Sequence, residues 1–273
     1  MSNPPVIRAY VDTVLVAPAR LRDTRQVKAL AEEHAGSVHH QRDRIRKGVL
    51  RRRPGVRVGR RTYRAPLHVH QPDDFALNFI RSALKHGRLA VLRLDIALDI
   101  RCDNRDAADA LHAELRRKIT LSGARGPVRV SHGGSIQMGT TYLGVGKGQE
   151  GAVLVVYSDE HAACKNGGTP TTHIELRLFG ARAVRAAVGR SLTLEMCMRR
   201  VRVVSELRVP TRILRAAQNA GPTPYAQDVV EVMRRHGIDR RSVVRRAIPI
   251  CDWARRNVAP APASGPTASD RPN

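Results

Sequence analysis

Aromatic side chains are scarce in this sequence, since Phe, Trp and Tyr together make up 3% of its 273 residues. Hydrophobic residues as a whole account for 42%, so a core must be built mainly from Val, Leu, Ile and Ala. Proteins that recognise single-stranded RNA commonly stack bases on aromatic rings. The shortage of aromatics therefore argues against an RNA-binding protein, which is the third of our three functional hypotheses.

Cysteines are also few and lie far apart, at Cys102, Cys164, Cys197 and Cys251. The absence of a Cys-x-x-Cys pair argues against a zinc ribbon and favours a reduced, cytoplasmic protein. No run approaches the roughly 18 apolar residues of a membrane span. The first residues also lack the basic and apolar regions of a signal peptide. We therefore expect a cytoplasmic location and no membrane partner.

Acidic residues are outnumbered two to one, with 24 Asp and Glu against 48 Lys and Arg, a net charge of +24. A field of this sign favours polyanions, and DNA is the partner that we predict. Many of the cations lie in "RIRKGVLRRRPGVRVGRR", residues 44–61, which could also be a solvated hairpin whose charge serves only solubility. The predicted DNA contacts are Arg46, Lys47, Arg51, Arg52, Arg53, Arg60, Arg61 and, on a later strand, Arg177.

The periodicity of apolar residues predicts an α+β fold with antiparallel sheets, because successive strands are joined by short turns. Residues 1–205 form the predicted main domain, and its order of strand, helix, several strands and helix occurs twice, over 1–88 and 89–190. Residues 206–258 are predicted to be helical, with helices at 211–220, 224–236 and 239–255. A break at Gly237 fits either a helix-turn-helix or an ordinary packed helical pair. The Pro/Ala/Ser-rich tail, 259–273, is predicted to be disordered.

Three predicted strands carry polar side chains on one face. In "VLRLDIALDI", residues 91–100, Arg93, Asp95, Ala97 and Asp99 alternate with Leu92, Leu94, Ile96, Leu98 and Ile100. Asp95 and Asp99 are about 13 Å apart along a strand, so only one of them can bind a given ion, and Asp95 is our choice. His173 and Glu175 are only about 6–7 Å apart. Such a set of ligands suits Mg²⁺ or Mn²⁺.

Tyr157 ends the buried strand in "VLVVYSDEH", residues 153–161. A phenol beside a metal-bound phosphate can act as a nucleophile, because the ion polarises the phosphoryl oxygen and offsets transition-state charge. Structural alternatives exist for each residue. Tyr157 could anchor the end of its strand, Asp95 could belong to a solvated sheet face, and Glu175 could pair with Arg177 across strands.

Four segments, taken in order, resemble the rolling-circle replication initiators of filamentous phages, plasmids and integrative elements. They are "VLRLDIALDI", "TTYLGVGKG", "VLVVYSDEHA" and "THIELRLFGARA". The resemblance covers residues 88–190 closely and 1–190 more loosely. It implies that Tyr157 nicks DNA, that Asp95 is an acidic metal-site residue and that Glu175 is its partner. The family's lysine two positions after the tyrosine is Asp159 here, and the arginine before the glutamate strand is replaced by His173.

The triplet His68-Val69-His70 supplies an alternative metal site. Two histidines at positions i and i+2 share one face of a strand, so both can reach one ion. The triplet resembles the metal motif of the broader HUH endonucleases. This resemblance implies the same chemistry, in which a tyrosine nicks DNA. A solvated strand before Pro72 explains the pattern equally well.

The resulting hypothesis is a metal-dependent DNA nicking-closing enzyme that initiates rolling-circle replication of a phage, plasmid or mobile element. Its partners would be origin DNA, single-stranded and duplex, with host replication proteins as further candidates. The rival hypothesis is a non-catalytic DNA-binding or regulatory protein on the same scaffold. The presence of Asp159 where the family has lysine favours this rival.

Overall fold

The computed structural model describes most of the chain, in thirteen stretches: residues 7–40, 45–46, 49–50, 56–58, 60–122, 129–131, 140–144, 151–159, 170–180, 198–207, 211–219, 225–238 and 244–258. The fold is α+β with a large antiparallel sheet, as the sequence predicts. Two predicted segments, the short helix at 181–189 and the tail at 259–273, lie outside the described residues.

The strands in these stretches are β1 (Ile7–Pro18), β2 (Ser37–His40), β3 (Ile45–Arg46), β4 (Val49–Leu50), β5 (Val56–Val58), β6 (Arg61–Tyr63), β7 (Leu67–His70), β8 (Leu89–Arg101), β9 (Ile119–Leu121), β10 (Arg129–Ser131), β11 (Thr140–Gly144), β12 (Ala152–Asp159), β13 (Thr171–Phe179), β14 (Val201–Leu207) and β15 (Val244–Pro249). The helices are α1 (Leu21–His34), α2 (Asp74–Lys85), α3 (Arg105–Lys118), α4 (Thr211–Gln218), α5 (Ala226–Arg235) and α6 (Ile250–Asn257). None of these helices is long and apolar enough to span a membrane.

The main sheet has eight strands in the order β10-β11-β12-β13-β8-β1-β7-β2. Its two long central strands, β1 and β8, pair antiparallel over most of their length. Each of them begins one of the two halves seen in the sequence, and each also pairs with a later strand of its own half, β7 or β13. Within this sheet, β7 and β2 from residues 1–88 therefore lie on one side of the β1–β8 pair, and β10 to β13 from residues 89–190 lie on the other. The internal duplication itself stays a prediction.

One face of this sheet is apolar and supports α1, α2 and α3. The alternation in β8 is the reason, because Leu94, Ile96, Leu98 and Ile100 all point into this core and are almost fully buried. Burying such a side chain contributes roughly 1.5–3 kcal/mol. Leu92 departs from the predicted pattern, since the pairing of β8 with β1 is irregular there and Leu92 packs with Ala17, Tyr63 and Ala90 instead.

Helices α2 and α3 begin where the sequence places capping residues. The side chain of Asn104, the predicted cap, accepts a hydrogen bond of 2.8 Å from the amide of Ala107. Asp73 accepts one of 2.9 Å from the amide of Ala76 at the start of α2. These bonds satisfy amides that have no partner within the helix. The caps thus hold α2 and α3 at defined ends of the sheet.

The C-terminal region is not wholly helical, and the predicted helix at 239–255 is wrong. Helices α4 and α5 agree with the predicted ones, but Val244–Pro249 is strand β15, which pairs with β14, and β14 pairs with β9. Pairing with β14 holds this segment extended, and Pro249 ends it because proline has no amide hydrogen to donate. Gly237 has a φ of 62° at the end of α5. Because a strand follows, the helix-turn-helix interpretation is also wrong for the described residues.

Candidate functional site

The opposite face of the main sheet carries the polar side chains that the sequence singles out. Across β8 and β13, Asp95 pairs with Arg177 and Asp99 pairs with His173. Across β12 and β13, Tyr157 pairs with His173. Residues directly opposite each other in antiparallel strands project to the same face. The fold therefore places the predicted nucleophile and the predicted acidic residues on one surface of one sheet.

A cluster of three carboxylates lies at the centre of this face. Asp12, Asp95 and Glu175 each offer an oxygen, and these oxygens all lie within 4.8 Å of one another. Asp12 reaches the cluster because it is an extra residue in β1: its neighbours Val11 and Thr13 pair with consecutive residues of β8. A bulge of this kind redirects a side chain. All three carboxylates are buried.

Two arginines stabilise the buried carboxylates. Arg93 donates from Nε to Oδ1 of Asp95 at 2.6 Å, and its guanidinium lies 3.5 Å from Glu175. Arg177 donates from Nη2 to Oε2 of Glu175 at 2.6 Å. Three carboxylates against two guanidiniums leave a net negative charge when all are ionised. A set of carboxylate oxygens with that charge fits a hard divalent cation such as Mg²⁺ or Mn²⁺.

The two central carboxyl groups differ in their acidity. Burial raises the pKa of Asp95 to about 8, with Arg93 opposing the rise and the nearby charge of Glu175 adding to it. Burial also acts to raise the pKa of Glu175, but the hydrogen bond and charge of Arg177 outweigh it and hold that pKa below its usual value. A carboxyl group must be ionised to bind a metal. Metal binding at this cluster would therefore release a proton from Asp95.

A second polar group surrounds His173 on the same face. Nδ1 of His173 lies 2.5 Å from Oδ1 of Asp99, and the hydroxyl of Tyr10 donates to Oδ2 of Asp99 at 3.0 Å. The ring of Tyr157 lies 4.7 Å from the His173 ring, tilted by 40°. Burial and the charges of Asp99 and Asp12 raise the pKa of Tyr10 far above its ordinary value. Tyr10 therefore serves as a hydrogen-bond donor to Asp99.

The predicted metal residues thus fall into two groups. Asp95 and Glu175 lie together with Asp12 in the carboxylate cluster. His173 is hydrogen-bonded to Asp99 instead, and within the described part of the chain it is not a member of that cluster. Nε2 of His173 is buried and has no hydrogen-bond partner in the described part of the chain. The metal-ligand roles of all three predicted residues stay predictions.

The alternative histidine triplet lies on the same face, in β7, which β8 and β1 separate from β13. The rings of His68 and His70 are stacked with their centroids 5.8 Å apart. Thr13 connects this pair to the carboxylates, because its hydroxyl donates to Oδ2 of Asp12 at 3.0 Å and lies 3.0 Å from Nδ1 of His70. Since that hydroxyl has one hydrogen and donates it to Asp12, it accepts from Nδ1 of His70.

The predicted DNA contacts are only partly described. Arg60 and Arg61 are exposed beside the hairpin of β5 and β6, while Arg177 is half-buried and paired with Glu175. Arg46 lies in β3, but the structure does not describe its side chain, and residues 47 and 51–53 lie outside the described residues. The same holds for the side chain of Asp159 and for residues 160 and 161. The contacts therefore stay predictions.

Sequence reasoning missed Asp12 and Tyr10, which both lie in the predicted first strand. Asp12 had a usable signal, since it is the one charged residue within the apolar run "VDTVLV". Tyr10 had none, because its role depends on the pairing of β1 with β8, where it lies opposite Ala97 and reaches Asp99.

Comparison with known proteins gives a likeness to solved structures. No protein-family model matches the chain, and no curated protein matches it in sequence. A solved structure of a rolling circle replication initiator protein from Geobacillus stearothermophilus matches with 13% sequence identity and a TM-score of 0.39. The match covers 85% of this chain and 98% of that one.

Proposed function

We propose that this protein is a DNA nicking-closing enzyme that uses Tyr157 as its nucleophile and initiates rolling-circle replication of a phage, plasmid or mobile element. The observation that carries the proposal is the shared sheet face on which Tyr157 and the three-carboxylate cluster lie. A nucleophile and a cation site must both reach the same phosphate, and a sheet face holds them in fixed relation.

In this reaction the hydroxyl oxygen of Tyr157 attacks the phosphorus of one phosphodiester. A new bond joins the tyrosine oxygen to phosphorus, and the bond to the 3′ oxygen breaks. The phenol proton leaves to solvent or a base, and the 3′ oxygen takes up a proton from solvent. The products are a 5′-phosphotyrosine link and a free 3′-hydroxyl that can prime a polymerase. The reverse attack by a 3′-hydroxyl restores the phosphodiester and releases the tyrosine, which accounts for closing.

The residues of the site have separate roles in this reaction. Asp12, Asp95 and Glu175 would hold a Mg²⁺ or Mn²⁺ ion, which supplies Lewis-acid polarisation of the phosphate when bound. His173 and Asp99 hold the Tyr157 ring in place through ring contact and the Asp99–His173 bond. Tyr157 is half-buried, so part of its side chain stays accessible to DNA. Exposed arginines such as Arg60 and Arg61 would contact the DNA backbone without reading its sequence.

The test is the formation of a covalent protein–DNA adduct on supercoiled DNA that carries the replicon's own origin, with Mg²⁺ or Mn²⁺ present. The wild-type protein should nick this DNA and give an adduct that survives detergent. Tyr157→Phe removes one oxygen and almost no packing, so it should bind DNA normally and form no adduct. Tyr142→Phe, on the neighbouring strand β11 and also half-buried, is the matched control and should retain the adduct.

The rival function, a DNA-binding protein without catalysis, is favoured by Asp159, which stands where the resembling family has lysine. The same experiment separates the two. If the wild-type protein binds origin DNA without nicking it, the DNA-binding function without catalysis is the correct one. If Tyr157→Phe forms the adduct, another residue is the nucleophile.

A further inference from the structure

A cavity of about 460 Å³ opens where β1 ends and α1 begins. Its volume lies in the range of pockets that bind small ligands. Five of its lining side chains carry charge, and four of them are arginines, against a single acid: Arg20, Arg22, Arg61, Arg88 and Asp23. His86 lies in the same wall. The cavity is therefore strongly cationic as well as concave.

Asp23 does not neutralise the whole cavity, because both of its oxygens have nearby partners. Oδ1 accepts from Nε of Arg88 at 2.9 Å, and Oδ2 accepts from the backbone amide of Arg20 at 3.1 Å. Asp23 is buried, with 2% of its surface exposed, so this arrangement fixes Arg88 in the wall. The other three guanidiniums, on Arg20, Arg22 and Arg61, pair with no carboxylate in the described part of the chain.

The three cations come from two separate parts of the fold. Arg20 and Arg22 flank the first residue of α1, whereas Arg61 begins β6 and reaches across to Gly87. Gly87 has a φ of 67°, and a Cβ there would clash with Nη1 of Arg61. Glycine at this position adopts the left-handed backbone without strain, and the guanidinium of Arg61 lies in the space beside it.

The position of Arg20 is electrostatically unfavourable, and the carboxylate of Asp23 in the first turn of α1 offsets this only in part, because it is also paired with Arg88. Arg20 is the residue that caps α1, but an arginine side chain has no acceptor for the first helical amides. It also places a cation beside the positive end of the helix dipole. A phosphate in the cavity would accept from the amides and from the guanidinium groups together, since arginine's fork of donors matches phosphate oxygens.

We propose that this cavity is a phosphate-binding site formed by Arg20, Arg22 and Arg61. Ala19, in its wall, is six residues beyond Thr13 along β1, which corresponds to roughly 20 Å in an extended strand. The phosphate source that we favour is the backbone of a DNA strand long enough to span this distance, and this choice rests on the proposed function. The alternative source is the phosphate of a free nucleotide, which the cavity volume also accommodates.

The test compares two full-length variants that lose the same charge. The pocket variant carries Arg20→Gln, Arg22→Gln and Arg61→Gln, and the control carries Arg117→Gln, Arg215→Gln and Arg256→Gln, three exposed arginines away from the cavity. Arg88 is kept because buried Asp23 depends on it. Circular dichroism and thermal melting verify folding, and Arg61→Gln alone replaces the triple variant if that variant does not fold.

Two titrations are made with each protein. Calorimetry with inorganic phosphate at low ionic strength should show binding to wild type and control, and at least about tenfold weaker binding to the pocket variant. Fluorescence anisotropy with a single-stranded oligonucleotide at several salt concentrations gives the log–log slope of affinity against salt. In the pocket variant, that slope should fall in magnitude by about 0.7 for each DNA phosphate that the protein no longer neutralises.

The outcomes are distinct. Loss of phosphate binding together with a smaller salt slope assigns the site to the DNA backbone. Loss of phosphate binding with an unchanged slope supports the site and assigns it to a free phosphate compound. Equal phosphate binding by the pocket variant and the control overturns the proposal. Neither titration involves nicking, so failure of the Tyr157 chemistry would leave these results unaffected.

Discussion

The ring of Tyr157 lies against the ring of His173, with centroids 4.7 Å apart. His173 is itself held by Asp99 at 2.5 Å, and Asp99 accepts a further hydrogen bond from Tyr10. The orientation of the proposed nucleophile therefore depends on a series of contacts. The series runs from Tyr10 in β1 through Asp99 in β8 and His173 in β13 to Tyr157 in β12. A side chain fixed by its neighbours loses little freedom when it reacts.

The first prediction concerns His173 as a positioning residue. His173→Ala removes the ring that Tyr157 contacts, so adduct formation should slow by about tenfold or more, because misplaced reacting atoms cost that much. Affinity for Mn²⁺, measured by titration calorimetry, should stay near the wild-type value, since His173 is bonded to Asp99 and lies apart from the carboxylates.

Glu175→Gln is the reference variant for this experiment, because its carboxylate belongs to the cluster. It should weaken Mn²⁺ binding. A comparable loss of Mn²⁺ affinity in His173→Ala would show that His173 is a metal ligand, as its spacing from Glu175 suggests in the sequence, and would contradict the positioning role.

The second prediction concerns Asp12, the bulged residue. Asp12→Asn keeps the size of the side chain but removes a charged ligand, so Mn²⁺ should bind about tenfold or more weakly and nicking should be lost. DNA affinity should stay unchanged, because the basic surface supplies it. Asp106→Asn, an exposed acid at the start of α3, is the control. If His68→Ala and His70→Ala abolish metal binding while Asp12→Asn does not, the ion binds at the histidine triplet.

Periodicity predicted the strands of the main sheet because each has one buried face. β12 is found at residues 152–159, and the alternation of Leu94, Ile96, Leu98 and Ile100 correctly identifies the apolar face of β8. Alternation within β8 and β13 identified Asp95 and Glu175 as residues of polar strand faces, and the family resemblance linked the two. Asp12 could not be grouped with them, since it joins them through a bulge, and a bulge depends on the register between two strands rather than on either sequence.

The failure at 239–255 has a related cause. Apolar residues in β15 and α6 follow one another at spacings that fit a single amphipathic helix, so periodicity alone does not separate them. The pairing of β15 with β14, for example Ile248 opposite Val203, decides the outcome. Such long-range pairing overrides local propensity. The same limitation applies to the Asp99–His173 pair, whose partners are 74 residues apart.

The third prediction tests the core beneath the polar face. Ile96 lies between Asp95 and Asp99 along β8, but its side chain points to the apolar face of the sheet and is fully buried. Ile96→Ala should lower the free energy of unfolding by about 2–5 kcal/mol, through lost burial and the cavity left behind. Leu21→Ala, at a residue that is 48% exposed, should change it by less than about 0.5 kcal/mol. Chemical denaturation measures both, and similar values for the two variants would contradict the described core.

The last prediction concerns pH and His112, which is buried under the sheet near Thr141. Burial, aided by the charge of Arg116, lowers the pKa of His112 to about 4, whereas a histidine in the unfolded chain titrates near 6.5. Between these values the unfolded state binds more protons, so stability falls as pH drops through this window and levels off below about 4.

From pH 7 to 5.5 the free energy of unfolding of the wild type should fall by about 1 kcal/mol through this residue, measured by urea denaturation at both pH values. His112→Gln cannot take up the proton and should lose correspondingly less, while His236→Gln, at an exposed position, should lose as much as the wild type. An identical loss in His112→Gln and the wild type would show that His112 is not the group responsible.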